Sequence, residues 1–594
     1  MDKKAINSIL RFDILKMSCL LAIFFLPIGC SSSNDDHRPN SEKKFTILGI
    51  SPEQAYQGDT VTISGVGFDD AKRVLFKKVE AKILSVAEGE LKVIVPEVEN
   101  SADALLSEVP VRVYSPTQYR ERPFMMKFVT SKFTLEGLQY EVDTVAHYQV
   151  GPGAYFTQID LGHAEFPLRV YFLTMDAKTS HLKFSPVLAH DELGYVENVV
   201  DMGVRKTGQG HGNYFAGVNA DFFNMGGDNR ILDGMNQNGQ VVALPTESGM
   251  GNIIIQQNGE LFIDELTYSA ARVTLGETIS QLDNVNNVRK ENQLVMYNRF
   301  YDKTTETNDN GTEVVIKPVS GEWQLNAPVE FEVADVRIGK GSTPIPDNCA
   351  VLSAHGTKQA LLNQLKVGDK GKFNIGITGY NYKFKDLLHT MGVKNVILRD
   401  GNLTSYEWNE RHPRTALGLS ADRNKLYMCV VDGRQKGVSV GVTTTQLALI
   451  MKRSGVATAF NMDGGGSSTM YAYNTGYNGT GLMNRPVGGT YKRPVASSFF
   501  AVADVPEDGK VASIVPQDHI LRIKQGEKAS LVFYGLNQYG LIVDNELKGL
   551  QLSADSSLGQ ISDKNEFTAS GTRKKGIITA VYQGMSTKIQ VFVY

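Results

Sequence analysis

The sequence predicts a multi-domain chain in which a central α+β domain is flanked by two small β-sandwiches. First, 594 residues exceed what a single hydrophobic core organises. Second, Lys44 to Thr130 and Glu507 to Tyr594 consist of short alternating stretches punctuated by Gly, Pro and Asp. Third, the region between them mixes buried-strand runs with a few helical spacings and ends several of these in glycine-rich turns. The expected boundaries are a targeting segment at 1–30, a linker at 31–43, a sandwich at 44–130, the main domain at 131–504 and a second sandwich at 507–594.

Hydrophobic content of 42% with 21% charged residues describes an ordinary globular chain. A net charge of −3 is too small to favour nucleic acid or an anionic membrane as partner, and no basic stripe is interleaved with aromatics.

At the start, Lys3, Lys4, Arg11 and Lys16 precede an apolar run from Cys19 to Gly29 that is too short to span a bilayer. Leu26-Pro27-Ile28-Gly29-Cys30, followed by a Ser-rich acidic stretch, resembles a bacterial lipoprotein signal, although Leu26 stands one place further from the cysteine than is usual. The stretch after Cys30 is similar to tethers of surface lipoproteins in the Bacteroides group. That resemblance implies acylation of Cys30, an outer-membrane, surface-exposed location and membrane contact through the lipid anchor alone. Cys349 and Cys429 sit in or beside apolar runs and read as buried hydrophobes, neither a disulfide scaffold nor a zinc site.

In the first sandwich, Ile50-Ser51-Pro52, Gly58-Asp59-Thr60-Val61-Thr62-Ile63-Ser64-Gly65 and Gly67-Phe68 resemble the IPT/TIG immunoglobulin-like domain. Nothing in it carries chemistry, so a spacer or binding module is expected. The C-terminal strands, from Ile514-Val515-Pro516 to Ile589–Val593, resemble bacterial immunoglobulin-like modules and likewise lack candidate catalytic groups. Residues 131–504 are therefore expected to fold and act alone.

The main domain centres on Ala459–Tyr471, in which a carboxylate, three glycines and three hydroxyls follow an apolar run. Glycine admits φ > 0 and close backbone approach, and successive N–H groups in such a turn can cup an anion. The plain structural alternative is a tight turn capped by its own Asp and Ser side chains. Upstream, Thr443 and Gln446 form a capping box; Leu447, Ile450 and Met451 make one apolar helical face; Gly455 suits the helix end. Val456–Phe460 then reads as a buried strand, which places the glycine turn at a strand end where sites gather. Gly392–Gly401 aligns without gaps on Gly455–Gly464, and Leu387, Leu388 and Met391 give it a helical lead-in, which reads equally as two related helix–strand–Asp-Gly units or as a helix C-cap and strand converging on similar residues.

Further motifs precede and follow this turn: Phe215–Asn224, Asn298-Arg299, Thr304–Asn308, Gly311–Val315, Arg414–Gly418, Val430–Arg434, Asn484-Arg485-Pro486 and Arg493–Ala496. In that order they resemble the phosphodiester glycosidase family. Two departures are Asp221, where Gly is common, and Lys492, where Glu is common. The resemblance implies a hydrolase that removes a sugar, N-acetylglucosamine in one reading, from a sugar-1-phosphodiester in a glycan or cell-surface polymer.

Such a substrate needs charge stabilisation at phosphate and proton transfer near the scissile oxygen. Arg414 is the first choice for phosphate because a guanidinium fork matches two oxygens; Thr415, Arg434 and Arg493 belong to the same motif set. Two carboxylates usually flank a glycosidic bond. Asp463 leads, while Asp432, Asp221 and Asp400 compete for the second place, and Asp432 reads equally as a turn-former. Asn219, Asn461, Ser467 and Ser468, with Gly464, Gly465 and Gly466, are the remaining substrate-binding candidates. His211, His355 and His412 lie near motifs but read as loop residues. No metal-ligand spacing is present, so no cofactor is assigned, and a divalent cation on scattered carboxylates stays open. Two other classes stay open as well: a non-catalytic surface glycan binder and a metal-dependent phosphodiesterase.

Overall fold

The computed structural model describes residues 45–594 except 52–53, 100–105, 128–131, 211, 246–250, 385, 394, 474–479, 490, 571–573 and 594. The targeting segment, Cys30 and the linker therefore lie outside the described residues, as does His211. No helix among the described residues is long and apolar enough to cross a membrane.

The chain is mostly β, in sheets of antiparallel character. The N-terminal module packs a four-stranded sheet against a five-stranded one, around Val61, Ile63, Phe68, Val74, Leu91 and Val111. Its strand Thr60–Val66 has every second residue buried, the period-2 pattern that defines a half-buried strand.

The main domain is built on a nine-stranded sheet that joins distant parts of the chain. In spatial order its central strands are Leu138–Gly151, Ala154–Gly162, Leu168–Asp176, Lys425–Val431, Arg414–Leu419, Thr458–Asn461 and Asn395–Arg399. Opposite faces of one strand serve different cores. Leu417 and Phe460 point into the central core, whereas Ala416 and Ala459 face the core under helix Thr444–Arg453. That helix has the expected capping box between Thr443 and Gln446, and Gly455 follows it at φ +98°. A four-stranded sheet, ordered Leu182–Leu188, Ser497–Ala503, Asn213–Asn219, Met470–Ala472, closes over the central core.

Between these halves, strands within Arg272–Asn374 form an eight-stranded sheet with its own core, including Val273, Met296, Trp323, Phe331 and Leu352. This insertion is not evident from the sequence pattern.

Two expectations are corrected. Leu387–Val393 is a strand, not a helix. Leu387 packs into the insertion's core and Met391 and Val393 into the central one, so the strand is apolar on both faces and imitates helical spacing. The two Asp-Gly units also diverge. Asp400 and Gly401 both have φ > 0 (47° and 76°) in a two-residue turn joining Asn395–Arg399 to Asn402–Leu403, which makes Asp400 a type I′ hairpin residue. The strands before the two Asp-Gly pairs do meet, with Asn395 opposite Asn461.

The C-terminal module has its own core around Phe533, Phe567, Ile578 and Val591. It is not a detached appendage, however. Tyr534, Leu536, Leu541 and Ile542 belong to the central core, the rings of Tyr148 and Tyr534 lie 5.2 Å apart, and Arg522 pairs with Asp143 at 2.9 Å.

Candidate active site

The strand ends Asn219, Thr415 and Asn461 converge on the glycine turn, which is a single 3-10 turn over Gly465–Ser467. Asn219 holds it in place. Its amide nitrogen donates to the Asp463 carbonyl at 2.6 Å, and its amide oxygen accepts from Thr415 Oγ1 at 2.8 Å and the Thr469 N–H at 3.1 Å. The Asp463 N–H donates to the Ala220 carbonyl at 3.0 Å. Asn219 is fully buried, so it positions the turn and does not contact solvent.

The Asp463 carboxylate accepts the Gly464 N–H at 2.8 Å and the Ser467 hydroxyl, with Arg493 nearby. Burial outweighs these favourable contacts and pushes its pKa up to about 6. The side chain is still partly exposed, so it can meet a ligand.

The turn is not an open cup of N–H groups. Gly465 N–H donates to the Pro413 carbonyl at 2.8 Å, and the N–H groups of Ser467 and Ser468 donate back to Gly464 and Gly465. What the glycines admit is side chains. A Cβ on Gly466 would stand 2.2 Å from Nη2 of Arg493, and one on Gly465 would lie 3.4 Å from Nη2 of Arg434. Gly465 also has φ +65°. Two guanidinium groups thus lie against the bare turn, and among the described residues neither has a carboxylate within ion-pair distance.

Arg434 is oriented by a relay. Its Nη2 donates to Nδ1 of His412 at 3.1 Å, and Nε2 of His412 lies 2.9 Å from the Glu410 carboxylate. With Nδ1 accepting, the ring proton sits on Nε2 and points to Glu410. Arg434 itself holds φ +58°, a left-handed conformation uncommon for Arg, at the end of Asp432-Gly433.

Arg414 occupies a different place. Its guanidinium is 2% exposed, lies 4.6 Å over the Trp408 ring, and donates to the carbonyls of Val442 (3.1 Å) and Glu410 (3.0 Å). Burial lowers its pKa to about 10, which leaves it charged. Alternation along Arg414–Leu419 sends Thr415 toward Asn219 and Arg414 to the opposite face of the sheet. The structure brings Arg414 to the turn by its backbone, and the guanidinium itself braces the 408–412 loop.

Asp432 is 1% exposed and saturated: Tyr171 Oη (3.0 Å), Asn484 Nδ2 (2.9 Å) and the Arg485 N–H (3.1 Å) all donate to it. Burial still raises its pKa to about 6. Asn484 also donates to the Ser468 carbonyl at 3.1 Å and accepts the Met470 N–H at 2.8 Å. Asp432 therefore fixes the far side of the turn through one amide.

Asp221 is buried beside a second carboxyl group, Asp233, whose N–H donates to Asp221 Oδ2 at 3.0 Å. Burial first, then the charges of Asp233 and Asp463, raise its pKa well above that of a free carboxylate. Oδ1 of Asp221 has no partner, nor do Ser468 Oγ, Thr469 Oγ1 or the Asn461 amide, all of them buried. Among the described residues no group of three or more His, Cys, Asp or Glu side chains is arranged to hold a metal ion.

Sequence reasoning missed His412, Glu410, Asn484, Asp233 and Tyr171 as parts of this centre. Asn484 lies in a quoted motif and His412 stands two residues before Arg414, so a signal existed for both. Tyr171 and Asp233 lie in stretches with no such signal.

Comparison with known proteins identifies two domains. The phosphodiester glycosidase family model matches residues 325–502, which span Arg414, Arg434, Asp463 and Arg493, and the IPT/TIG domain model matches residues 46–121. No curated protein matches the chain. Solved structures similar to it include a Synechocystis protein (15% identity, TM-score 0.45, covering 78% of this chain and 76% of that one). Another is from Burkholderia pseudomallei K96243 (15% identity, TM-score 0.45, 78% and 97%). A third is the zebrafish N-acetylglucosamine-1-phosphodiester alpha-N-acetylglucosaminidase catalytic domain, auto-inhibited by its pro-peptide (13% identity, TM-score 0.28, 62% and 89%). The chain thus carries an IPT/TIG domain at 46–121 and, at 325–502, a phosphodiester glycosidase domain.

Proposed function

We propose that the protein hydrolyses a sugar-1-phosphodiester, releasing the sugar, N-acetylglucosamine in the leading reading, and leaving a phosphomonoester. The observation that supports it most is the pair of guanidinium groups, Arg434 and Arg493, neither in an ion pair among the described residues, set against Gly465 and Gly466 beside the Asp463 carboxylate. A phosphodiester anion between two guanidinium forks gains charge-assisted hydrogen bonds that a neutral glycoside could not use. Its anomeric carbon would then face Asp463.

The departing phosphomonoester has a second pKa near 6, so it leaves with little need for a proton. Sugar alcohols, by contrast, need an acid. One ionised carboxylate on the sugar side therefore suffices, and Asp463, ionised above about pH 6, acts as general base toward water. Asp221, buried behind the turn with its pKa raised by burial and by the neighbouring carboxylates, is not assigned the proton-transfer step. Asn219 and Asp432 position the turn from its two sides.

The test is single-turnover hydrolysis of an alpha-N-acetylglucosaminyl phosphodiester in oxygen-18 water. Label in the released sugar supports attack at carbon; label in the phosphate would overturn the reading in favour of P–O cleavage. No release at all would favour a glycan-binding protein. We also propose that Cys30 anchors the protein to the outer membrane, motivated by the Leu26–Cys30 sequence. Cys30→Ala should move the protein from the membrane to the soluble fraction, and unchanged partitioning would refute it.

A further inference from the structure

We infer that a second cleft, at the opposite end of the four-stranded sheet from the glycine turn, binds an anionic saccharide chain. The cavity measures about 1020 Å³ and is bounded by Leu182, Tyr214 and Val502 on one side and His389 on the other. Asn219 and Ser498 mark the catalytic end of the same strands, five residues along from Tyr214, which is about 17 Å at ~3.4 Å per residue. The volume stands at the upper end of the range for small-molecule sites, more than one sugar ring requires.

The lining decides the ligand class. Its aromatic faces are already covered: Arg299 lies 4.2 Å over Phe300, Lys206 5.9 Å over Tyr214, and Phe184 stacks on Phe499. Each of these three rings already has one neighbour stacked on it, so the lining offers polar groups more than open rings. Amides are what remains, from Asn238 and Gln257, each able to donate and accept and so to match sugar hydroxyls. His389 is 6% exposed and accepts the Asn238 N–H on Nδ1 at 3.2 Å, which leaves its ring proton on Nε2 as a neutral donor.

Charge adds the anionic preference. Lys206 is spent on Asp191 and Lys183 on Asp504. Lys178 and Arg299 line the cavity with no carboxylate in ion-pair range among the described residues. Arg299 belongs to the Asn298-Arg299 motif, which the catalytic centre does not use. Two free cations above a bed of amides fit a polyhydroxylated chain bearing phosphate or carboxylate groups.

The test is affinity electrophoresis of the full chain, carrying Asp463→Asn and Arg493→Ala to silence the first site, in gels containing yeast phosphomannan. Retardation should exceed that in neutral mannan or poly-glutamate, and Lys178→Ala with Arg299→Ala should weaken it at least fivefold. In the wild-type background the same pair should leave turnover of a small sugar-1-phosphodiester unchanged. Asn238→Trp, which fills the cleft without removing charge, should give the same loss of retardation. No retardation, equal retardation by poly-glutamate, or retention unaffected by both variants would overturn the inference. Because retention is read without turnover, failure of the proposed hydrolysis would not be mistaken for failure of this site.

Discussion

The guanidinium of Arg493 lies flat against the α-carbon of Gly466, so close that a Cβ there would stand 2.2 Å from Nη2. Gly466→Ala should therefore push Arg493 off the turn. Because the colliding atoms belong to the end of a flexible side chain, the fold should survive. We expect KM for a phosphodiester substrate to rise about tenfold, with the loss of a forked contact to phosphate. Steady-state kinetics and the melting curve check this together; unchanged KM would show that Arg493 does not hold the phosphate.

Asp463 and Asp221 should respond oppositely to the same isosteric change. Asp463→Asn removes the base and should lower kcat by about 10² or more. Asp221 is buried with its pKa raised and is not assigned the base, so Asp221→Asn should cost less than about tenfold. Equal, severe losses in both variants would assign Asp221 a proton-transfer step of its own.

The rate should climb with pH through about 6, as Asp463 ionises. Stability should run the other way. Asp463 and Asp432 have folded pKa values of about 6, above the unfolded ~3.9, so the folded state binds more protons between those values. Their contribution is fully present below about pH 4 and is lost as pH rises to about 6. Denaturant midpoints at pH 4, 5 and 6 should show Asp463→Asn with a smaller loss over that window than the unmodified protein.

Arg414→Lys should damage folding more than substrate affinity. A lysine cannot bridge the Val442 and Glu410 carbonyls together while lying on Trp408. We expect a lower melting temperature with KM changed less than about threefold in the folded fraction. A large rise in KM at unchanged stability would restore Arg414 to the phosphate site.

Removing residues after Asp504 should destabilise the main domain, because Tyr534, Leu536, Leu541 and Ile542 fill part of its core. Exposing such side chains costs roughly 1.5–3 kcal/mol each. Limited proteolysis of the truncated chain should cut strands near Tyr148 that the full chain protects; equal protection would show that the module is dispensable.

Much of the centre was legible from local rules. The capping box at Thr443, the strand to Asn461 and the glycine turn after it all follow from neighbours within a few residues, and so could be read. Arg414 was misjudged because its side-chain direction depends on strand alternation and on which face Asn219 approaches, a long-range fact. The 387–393 strand failed for a related reason: only tertiary structure reveals that two cores press on it. The insertion at 272–374 carries three of the motifs, Asn298-Arg299, Thr304–Asn308 and Gly311–Val315, but nothing in them marks a separate core, since a second antiparallel sheet uses the same alternation as the first.

The amide that seats Asp463 comes from a residue 244 positions earlier in the chain. Contacts of that span close late, after the local hairpins on either side have formed. The candidate centre is accordingly among the last parts of the molecule to assemble. A nascent chain halted before Ser497 would already possess most of its sheets yet lack the strand that backs Asn219. Onset of turnover during refolding would thus time closure of this long-range contact, and should lag the appearance of β-structure.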